Sequence, residues 1–163
     1  MTATTQRRRA LMPESAAIRT RDLAGLLPAG HWLAMQEETG LLALLALDQE
    51  GQPVLLAVQL FTPAEWSLLA ALLEQSPAYC PYGVLLAHFS YATVNDERVA
   101  RLRQQLYAAQ DEGTWDLVMR PVRNVLSRVR FKLRPFGIGI VSLLELGYTL
   151  LPLCKGNEAG DTA

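Results

Sequence analysis

Cysteine, long apolar runs and a leader-like N-terminus are scarce or missing in this chain. Its two cysteines, Cys80 and Cys154, cannot build a disulfide framework and lack the spacing of metal ligands. The apolar runs, such as residues 41–47, are far shorter than the roughly 20 residues that a membrane-spanning helix needs. The basic residues 7–9 are not followed by the apolar core of a signal peptide. We therefore expect a cytoplasmic protein with no membrane segment.

Motifs of catalysis are missing as well. The chain has no glycine-rich phosphate loop, no nucleophile elbow and no pair of acidic residues at a catalytic spacing. His31 and His88 lie far apart, and no neighbouring carboxylate gives either of them the spacing of a metal site. We therefore expect neither an enzyme nor a bound metal or cofactor.

Positive charge is absent from a long segment. Residues 22–97 contain nine acidic residues and no lysine or arginine. Residues 98–134 contain nine basic residues and three acidic ones. The two segments therefore carry net charges of −9 and +6, although the whole chain carries −1. Such an asymmetry is typical of a protein with one polyanion-binding side. The alternative is two ordinary solvated surfaces that attract each other within the fold.

The apolar residues that are present form short, separated runs. Half of the 163 residues are hydrophobic, which suits a single domain. Runs at 31–37, 41–48 and 53–60 are separated by short breaks that contain glycine. This spacing predicts an antiparallel meander of three strands.

Helix signals follow the meander. Thr62, Pro63 and Glu65 form a capping box with proline at the first helical position, which predicts a helix from here to about Gln75. Two further helices are predicted over residues 82–89 and 96–111.

The next predicted helix, 122–134, has one apolar and one cationic side. Its apolar positions recur at the spacing of a single helical stripe: Val122, Val125, Leu126, Val129 and Leu133. Two short strands, 138–142 and 146–151, close the chain as a hairpin. Strands, then helices, then a hairpin indicate the α+β class.

Three motifs resemble the winged-helix DNA-binding domain of OmpR/PhoB-type response regulators. Residues 60–73, LFTPAEWSLLAALL, are similar to the first helix of that family. Residues 122–133, VRNVLSRVRFKL, are similar to its recognition helix, and residues 140–150, IVSLLELGYTL, to its wing. The resemblance covers about residues 41–152, with an additional helix inserted before the recognition helix. No receiver-domain pattern precedes it.

The resemblance implies a transcriptional regulator that binds specific sequences of double-stranded DNA, as a dimer or tandem pair. Helix 122–134 would enter the major groove, where Arg128 would read bases. Phosphate contacts would come from Arg130 and Ser127 on the helix and from Ser142 and Tyr148 in the wing. The remaining candidate DNA-binding residues share the cationic side of the helix: Arg123, Asn124, Lys132 and Arg134.

The wing departs from the family pattern. The wing arginine of the family falls on Leu144, and its glycine falls on Glu145, whose carboxylate would repel phosphates. Together with Leu143 and Leu146, Leu144 would form an apolar tip. The tip motivates a second hypothesis, in which the winged helix is a protein-interaction module or a subunit of a larger assembly. Binding of RNA or single strands is a third, minor alternative that lacks an exposed aromatic platform.

The predicted protein is thus a winged helix-turn-helix of the α+β class, with an N-terminal meander, an inserted helix and a C-terminal hairpin wing. Residues 1–30 are predicted to be a mobile basic arm, residues 31–153 the winged-helix domain and residues 154–163 a disordered tail. DNA binding requires that the cationic side of helix 122–134 faces outward and is not neutralised by the chain's own carboxylates.

Overall fold

An antiparallel sheet of four strands forms the N-terminal part of the fold. The computed structural model describes residues 18–21, 23 and 25–153. The strands lie side by side in chain order: β1 (Arg19–Arg21), β2 (His31–Gln36), β3 (Leu41–Leu47) and β4 (Pro53–Leu60). The predicted three-stranded meander is confirmed by β2 to β4.

One glycine fixes the ends of β3 and β4 to each other. Gly40 has a φ of 70°, in the left-handed region that favours glycine. A Cβ added to Gly40 would lie 2.3 Å from the carbonyl oxygen of Phe61. The Phe61 amide donates to the Gly40 carbonyl at 2.9 Å, just beyond the pairing of Leu41 with Leu60. A side chain at position 40 would therefore push the two strands apart.

β4 is an edge strand whose exposed residues include Leu55, Leu56 and Val58, and it carries features that hinder pairing with another chain. The strand begins at Pro53, and a register shift against β3 leaves Leu56 as an extra residue. At its other end, Lys132 Nζ donates to the Leu60 carbonyl at 2.9 Å. Proline, bulges and lysine are the devices with which proteins block sheet edges.

Four α-helices follow within the described residues. They are α1 (Pro63–Gln75), α2 (Tyr82–Ser90), α3 (Asp96–Glu112) and α4 (Trp115–Leu133). The predicted capping box is present at the start of α1, where Glu65 N–H donates to Thr62 Oγ1 and Thr62 N–H donates to Glu65 Oε2. The predicted helix 96–111 is α3, which begins after the capping residue Asn95 and ends at Gly113.

A second antiparallel sheet combines a short strand before α2 with two strands after α4. Its strands are β5 (Cys80–Pro81), β6 (Ile138–Leu143) and β7 (Gly147–Pro152), in the order β5-β7-β6. The predicted terminal hairpin is confirmed by β6 and β7. A short 3-10 turn (Arg134–Phe136) joins α4 to this hairpin. The α+β class is therefore confirmed.

The core lies between the two sheets and the helices. Its largest fully buried side chains are leucines of β2, β3 and α1, together with residues of α2, α4 and β6. Each such side chain contributes about 1.5–3 kcal/mol by leaving water. This shared core holds α4 in a fixed rotation against α1 and the hairpin.

Helix α4 begins seven residues earlier than predicted, at Trp115 instead of Val122. Pro121 lies inside the helix. A proline removes one hydrogen bond, here the one to the carbonyl of Leu117. Both Leu117 and Pro121 lie on the exposed side, where water can bind that carbonyl. Because Pro121 lies on the exposed side, the helix continues through it and does not begin there.

The N-terminal arm that the sequence predicts, residues 1–30, is too long. Within residues 1–30, Arg19–Arg21 form β1 and pair with β2, and Leu26 and Leu27 belong to the buried core. Residues 1–17 and the predicted tail 154–163 lie outside the described residues. None of the described helices is long and apolar enough to cross a bilayer.

Candidate nucleic-acid interface

One side of α4 belongs to the core. All five residues of the predicted apolar stripe are at most 5% exposed: Val122, Val125, Leu126, Val129 and Leu133. Because residues three and four apart share one face of a helix, their burial fixes the rotation of α4 about its axis. The opposite side therefore faces outward, as the sequence predicted.

The outward side carries cations, polar groups and one aromatic ring. Six exposed residues form what we call the outer face of α4: Arg120, Asn124, Ser127, Arg128, Phe131 and Arg134. Phe131 is 68% exposed, and the Arg134 guanidinium lies 5.5 Å from the centroid of its ring. Three predicted polar residues, Asn124, Ser127 and Arg134, are thus presented to solvent.

A buried carboxylate lies beside this face. Glu65 of α1 is 2% exposed. Lys132 Nζ donates to Glu65 Oε2 at 2.6 Å, and Arg128 Nε donates to Glu65 Oε1 at 3.3 Å. The Thr62 amide donates to the same carboxylate at 3.0 Å. Glu65 therefore joins the start of α1 to the last turns of α4.

These partners keep Glu65 ionised. Burial alone would raise the pKa of the Glu65 carboxyl. Hydrogen bonds from Lys132, from the Thr62 amide and from Arg128, together with the charge of Lys132, outweigh burial and lower the pKa below its usual range. The carboxylate is thus charged at neutral pH, and the two cations are its counter-ions.

Arg128, the predicted base reader, remains accessible despite this ion pair. Its side chain is 58% exposed, whereas that of Glu65 is 2% exposed. The hydrogen bond uses Nε, and no described residue accepts from its two terminal Nη groups. The carboxylate therefore restrains the stem of Arg128 and leaves the Nη pair in solvent.

Arg123 is bound to its own helix. Its Nη2 donates to Asp116 Oδ1 at 2.9 Å and to the Asp116 carbonyl at 3.2 Å. Its guanidinium also lies 5.9 Å from the ring centroid of Trp115. The pair with Asp116 is exposed, so phosphate could replace the carboxylate at little cost.

Arg130 connects α4 to the hairpin. Its Nε donates to the Ile140 carbonyl at 3.1 Å, which fixes β6 against the helix. Ser142, the predicted phosphate contact in the wing, is exposed two residues further along β6. The structure therefore gives the half-buried Arg130 a positioning contact and leaves Ser142 accessible.

Two predicted contact residues have structural roles instead. Lys132 is half-buried, with its ammonium bound to Glu65 and to the Leu60 carbonyl. Tyr148 is 7% exposed, and its ring packs edge-on against Tyr82 at 5.6 Å between centroids. Their side chains are not presented to a duplex, because Lys132 neutralises a buried charge and the ring of Tyr148 fills the core.

The tip of the hairpin is exposed and apolar. Leu144 is 88% exposed, Leu146 is 49% exposed, and Leu143 is half-buried. Glu145, between the leucines, has a φ of 63°, which is uncommon for any residue except glycine. The tip therefore has the leucines that the sequence predicted, together with a carboxylate held in a strained backbone conformation.

The acidic and basic segments of the chain form few ion pairs with each other. Among the described residues, ion pairs between the segments involve only Glu65 and Glu97. The pair of Glu97 with Arg101 is exposed, and Glu65 is the one described acid that pairs with a cation of the outer face, Arg128. In the part of the chain that the structure describes, three of the five cations of α4 pair with the chain's own carboxylates: Arg123 with Asp116, and Arg128 and Lys132 with Glu65. The requirement for cations without a carboxylate partner is therefore met only in part, by Arg120 and Arg130 of α4 and by Arg134 just beyond it.

Sequence reasoning missed two residues of this surface. Arg120 belongs to the outer face because α4 begins at Trp115. The apolar residues Val118 and Met119 continue the buried stripe toward the N-terminus, which was the available signal. Phe131 lies between the predicted contacts Arg130 and Lys132 in the sequence, and its exposure of 68% makes it a candidate contact.

Comparison of the chain with protein-family models, with curated proteins and with solved structures gave no match. A functional interpretation therefore rests on the residues and geometry described above.

Proposed function

We propose that the chain is a winged helix-turn-helix protein that binds double-stranded DNA through the outer face of α4. The order of elements supports the resemblance: a four-stranded sheet, α1, β5, α2, then α4 and a hairpin. The inserted α3 lies where the sequence motifs are more widely spaced than in the family. The observation that carries the proposal is the exposed cationic outer face, which is backed by a fully buried apolar stripe.

The outer face has the chemistry that a major groove requires. An α-helix fits the major groove, where arginine binds guanine O6 and N7, and asparagine binds adenine N6 and N7. Arg128 and Asn124 lie four residues apart on this face, so they can contact neighbouring base pairs. Phe131 offers an apolar surface to a thymine methyl group. These side chains could read sequence.

Phosphate contacts would flank the helix. Arg120 and Arg134 lie toward opposite ends of the outer face, and Ser142 lies on the hairpin that Arg130 attaches to α4. Contacts to phosphates on both sides would fix the register of the helix in the groove without reading bases. The function would be transcriptional regulation, with a homodimer or tandem pair on adjacent half-sites.

The test compares single arginine substitutions by fluorescence anisotropy on selected and scrambled duplexes. Arg128→Gln should reduce discrimination between the duplexes by about 5- to 100-fold, because one base contact supplies about 1–3 kcal/mol. Arg120→Gln should weaken both complexes equally. Arg19→Gln, which removes an exposed cation from β1, is the matched control. Equal losses for Arg19→Gln and Arg128→Gln would refute the assignment of the surface to α4.

A protein-interaction module is the second candidate. The observation that favours it is the exposed leucine tip, Leu144 and Leu146, in place of a cationic wing. Exposed apolar clusters of this kind are typical of protein contacts. A Leu144→Ser variant that retains full DNA affinity but loses a partner or self-association would support this role. A variant that loses only DNA affinity would contradict it.

A further inference from the structure

An aromatic groove lies between the hairpin tip and α3, on the side of α4 away from its outer face. Two adjoining cavities of about 300 Å³ and 280 Å³ share four lining residues: Tyr82, Gln110, Trp115 and Glu145. Tyr79 and Tyr107 extend the lining of the first cavity, and Leu144 that of the second. We call this combined surface the tip groove. One wall of the tip groove is formed by α3, the helix that is additional to the family pattern.

The aromatic walls of the tip groove are held in place. The ring of Tyr82 is perpendicular to that of Trp115, at 84° and 5.0 Å between centroids. Its other side packs against Tyr148 at 90°, and its hydroxyl donates to the Leu143 carbonyl at 3.2 Å. Perpendicular rings fixed in this way form a preformed corner, so a ligand would not need to order them.

We propose that the tip groove binds a proline-rich segment of another protein in the polyproline II conformation. Proline rings pack well against tyrosine and tryptophan, and aromatic-lined grooves are a recurrent mode of recognising such segments. The two adjoining cavities provide room for neighbouring rings of such a segment. The proposal does not depend on DNA binding, since it uses none of the outer face of α4.

The polar groups of the groove favour this backbone over a helix. A polyproline II segment has no internal hydrogen bonds, so its carbonyls need donors from the partner. Gln110 and Trp115, whose side chains each carry an N–H donor, line the groove. The backbone carbonyls of an amphipathic helix are bonded within the helix, so they are not available to these donors.

Glu145 adds a charge preference. It is the one non-glycine residue with a positive φ among those described, and it lines both cavities. A residue held in an unfavourable conformation at a site is an indication of function. Its carboxylate would pair with an arginine or lysine of the bound segment. Arg103 also lines the first cavity, whereas Glu145 is the one charged residue that lines the second. The preferred partner is therefore a proline-rich segment whose neighbouring basic residue lies at the second cavity.

The experiment titrates the full-length chain into a fluorescein-labelled peptide of ten prolines followed by arginine, read by anisotropy. Saturable binding is expected. Tyr107→Ala, which removes an exposed ring of the groove, should weaken it about fivefold, as expected for one aromatic contact. Leu47→Ala, at an exposed leucine of β3, is the matched control and should leave the affinity unchanged.

Glu145→Gly separates a binding role from a structural one. Glycine adopts the local conformation without strain, so the variant should unfold at a higher temperature while binding the peptide more weakly. Absence of peptide binding by the folded wild-type chain at millimolar concentration would overturn the proposal. Equal binding of a glycine-serine peptide with the same charge, or preference for an amphipathic helical peptide, would overturn it as well.

Discussion

Replacement of Glu65 by glutamine is expected to destabilise the fold while strengthening its affinity for DNA. The substitution retains the size of the side chain and an acceptor for the Thr62 amide, but it removes the charge. The cost lies in the two charge-assisted hydrogen bonds from Arg128 and Lys132. Bonds to charged groups contribute about 1.5–3 kcal/mol each where they are buried.

The exposure of the two cations reduces the contribution of these hydrogen bonds to stability. Arg128 is largely exposed and can regain water, so its contribution is small, whereas Lys132 is only 24% exposed. We therefore expect Glu65→Gln to lower the free energy of unfolding by about 2 kcal/mol. For a chain of this size, that corresponds to a decrease in Tm of roughly 4–8 °C.

Urea unfolding followed by circular dichroism measures this loss. Glu97→Gln, which breaks the exposed pair with Arg101, is the control and should change stability by less than about 0.5 kcal/mol. In an anisotropy assay, Glu65→Gln should bind a random duplex more tightly, because two cations lose their internal counter-ion. Unchanged stability in Glu65→Gln would refute the account of Glu65 as the ionised link between α1 and α4.

The pH dependence of folding stability tests the role of Glu65 in a second way. The pKa of Glu65 is lower in the folded chain than in the unfolded one. The stability that the carboxylate contributes is therefore fully present above the unfolded pKa of about 4.3 and is lost as the pH falls through the folded pKa. Below about pH 4.3 the difference in stability between wild type and Glu65→Gln should shrink.

Two further predictions concern other parts of the fold. Burial raises the pKa of the Cys80 thiol to about 12, with a further contribution from Glu74. In a Cys154→Ser variant, iodoacetamide should therefore modify Cys80 about 100-fold more slowly in buffer than in urea. Equal rates of modification would contradict the burial of Cys80. Glu145→Gly should raise the free energy of unfolding by about 0.5–1 kcal/mol, because the left-handed conformation costs a residue with a side chain about 1–2 kcal/mol and glycine recovers part of this. Urea unfolding measures the gain. A loss of stability would show that contacts of the Glu145 side chain outweigh the strain.

Local sequence signals predicted the elements of the fold well. The capping box at Thr62 gave the start of α1, because its two hydrogen bonds join residues only three apart. The apolar stripe of α4 gave the buried side of that helix, because helical periodicity alone determines which residues share a face. Both signals depend on neighbours in the sequence.

Such signals do not predict contacts between residues that lie far apart in the sequence. Glu65 lies 63 residues from Arg128 and 67 residues from Lys132, and no pattern in the sequence indicates that α1 would place its capping carboxylate against α4. For the same reason, β1 was missed, since three polar residues become a strand only by pairing with β2. The role of Tyr148 in the core likewise follows from packing against Tyr82 of a different element.

The salt dependence of DNA binding tests the central claim most directly. Anisotropy with a labelled duplex at several concentrations of potassium chloride gives the slope of log K against log [salt]. If the outer face of α4 and its flanks neutralise three or four phosphates, the slope should be about −3 to −4, and Arg120→Gln should reduce its magnitude by about one. A flat plot for the wild-type chain, or a slope that Arg120→Gln leaves unchanged, would contradict the proposal that α4 binds DNA.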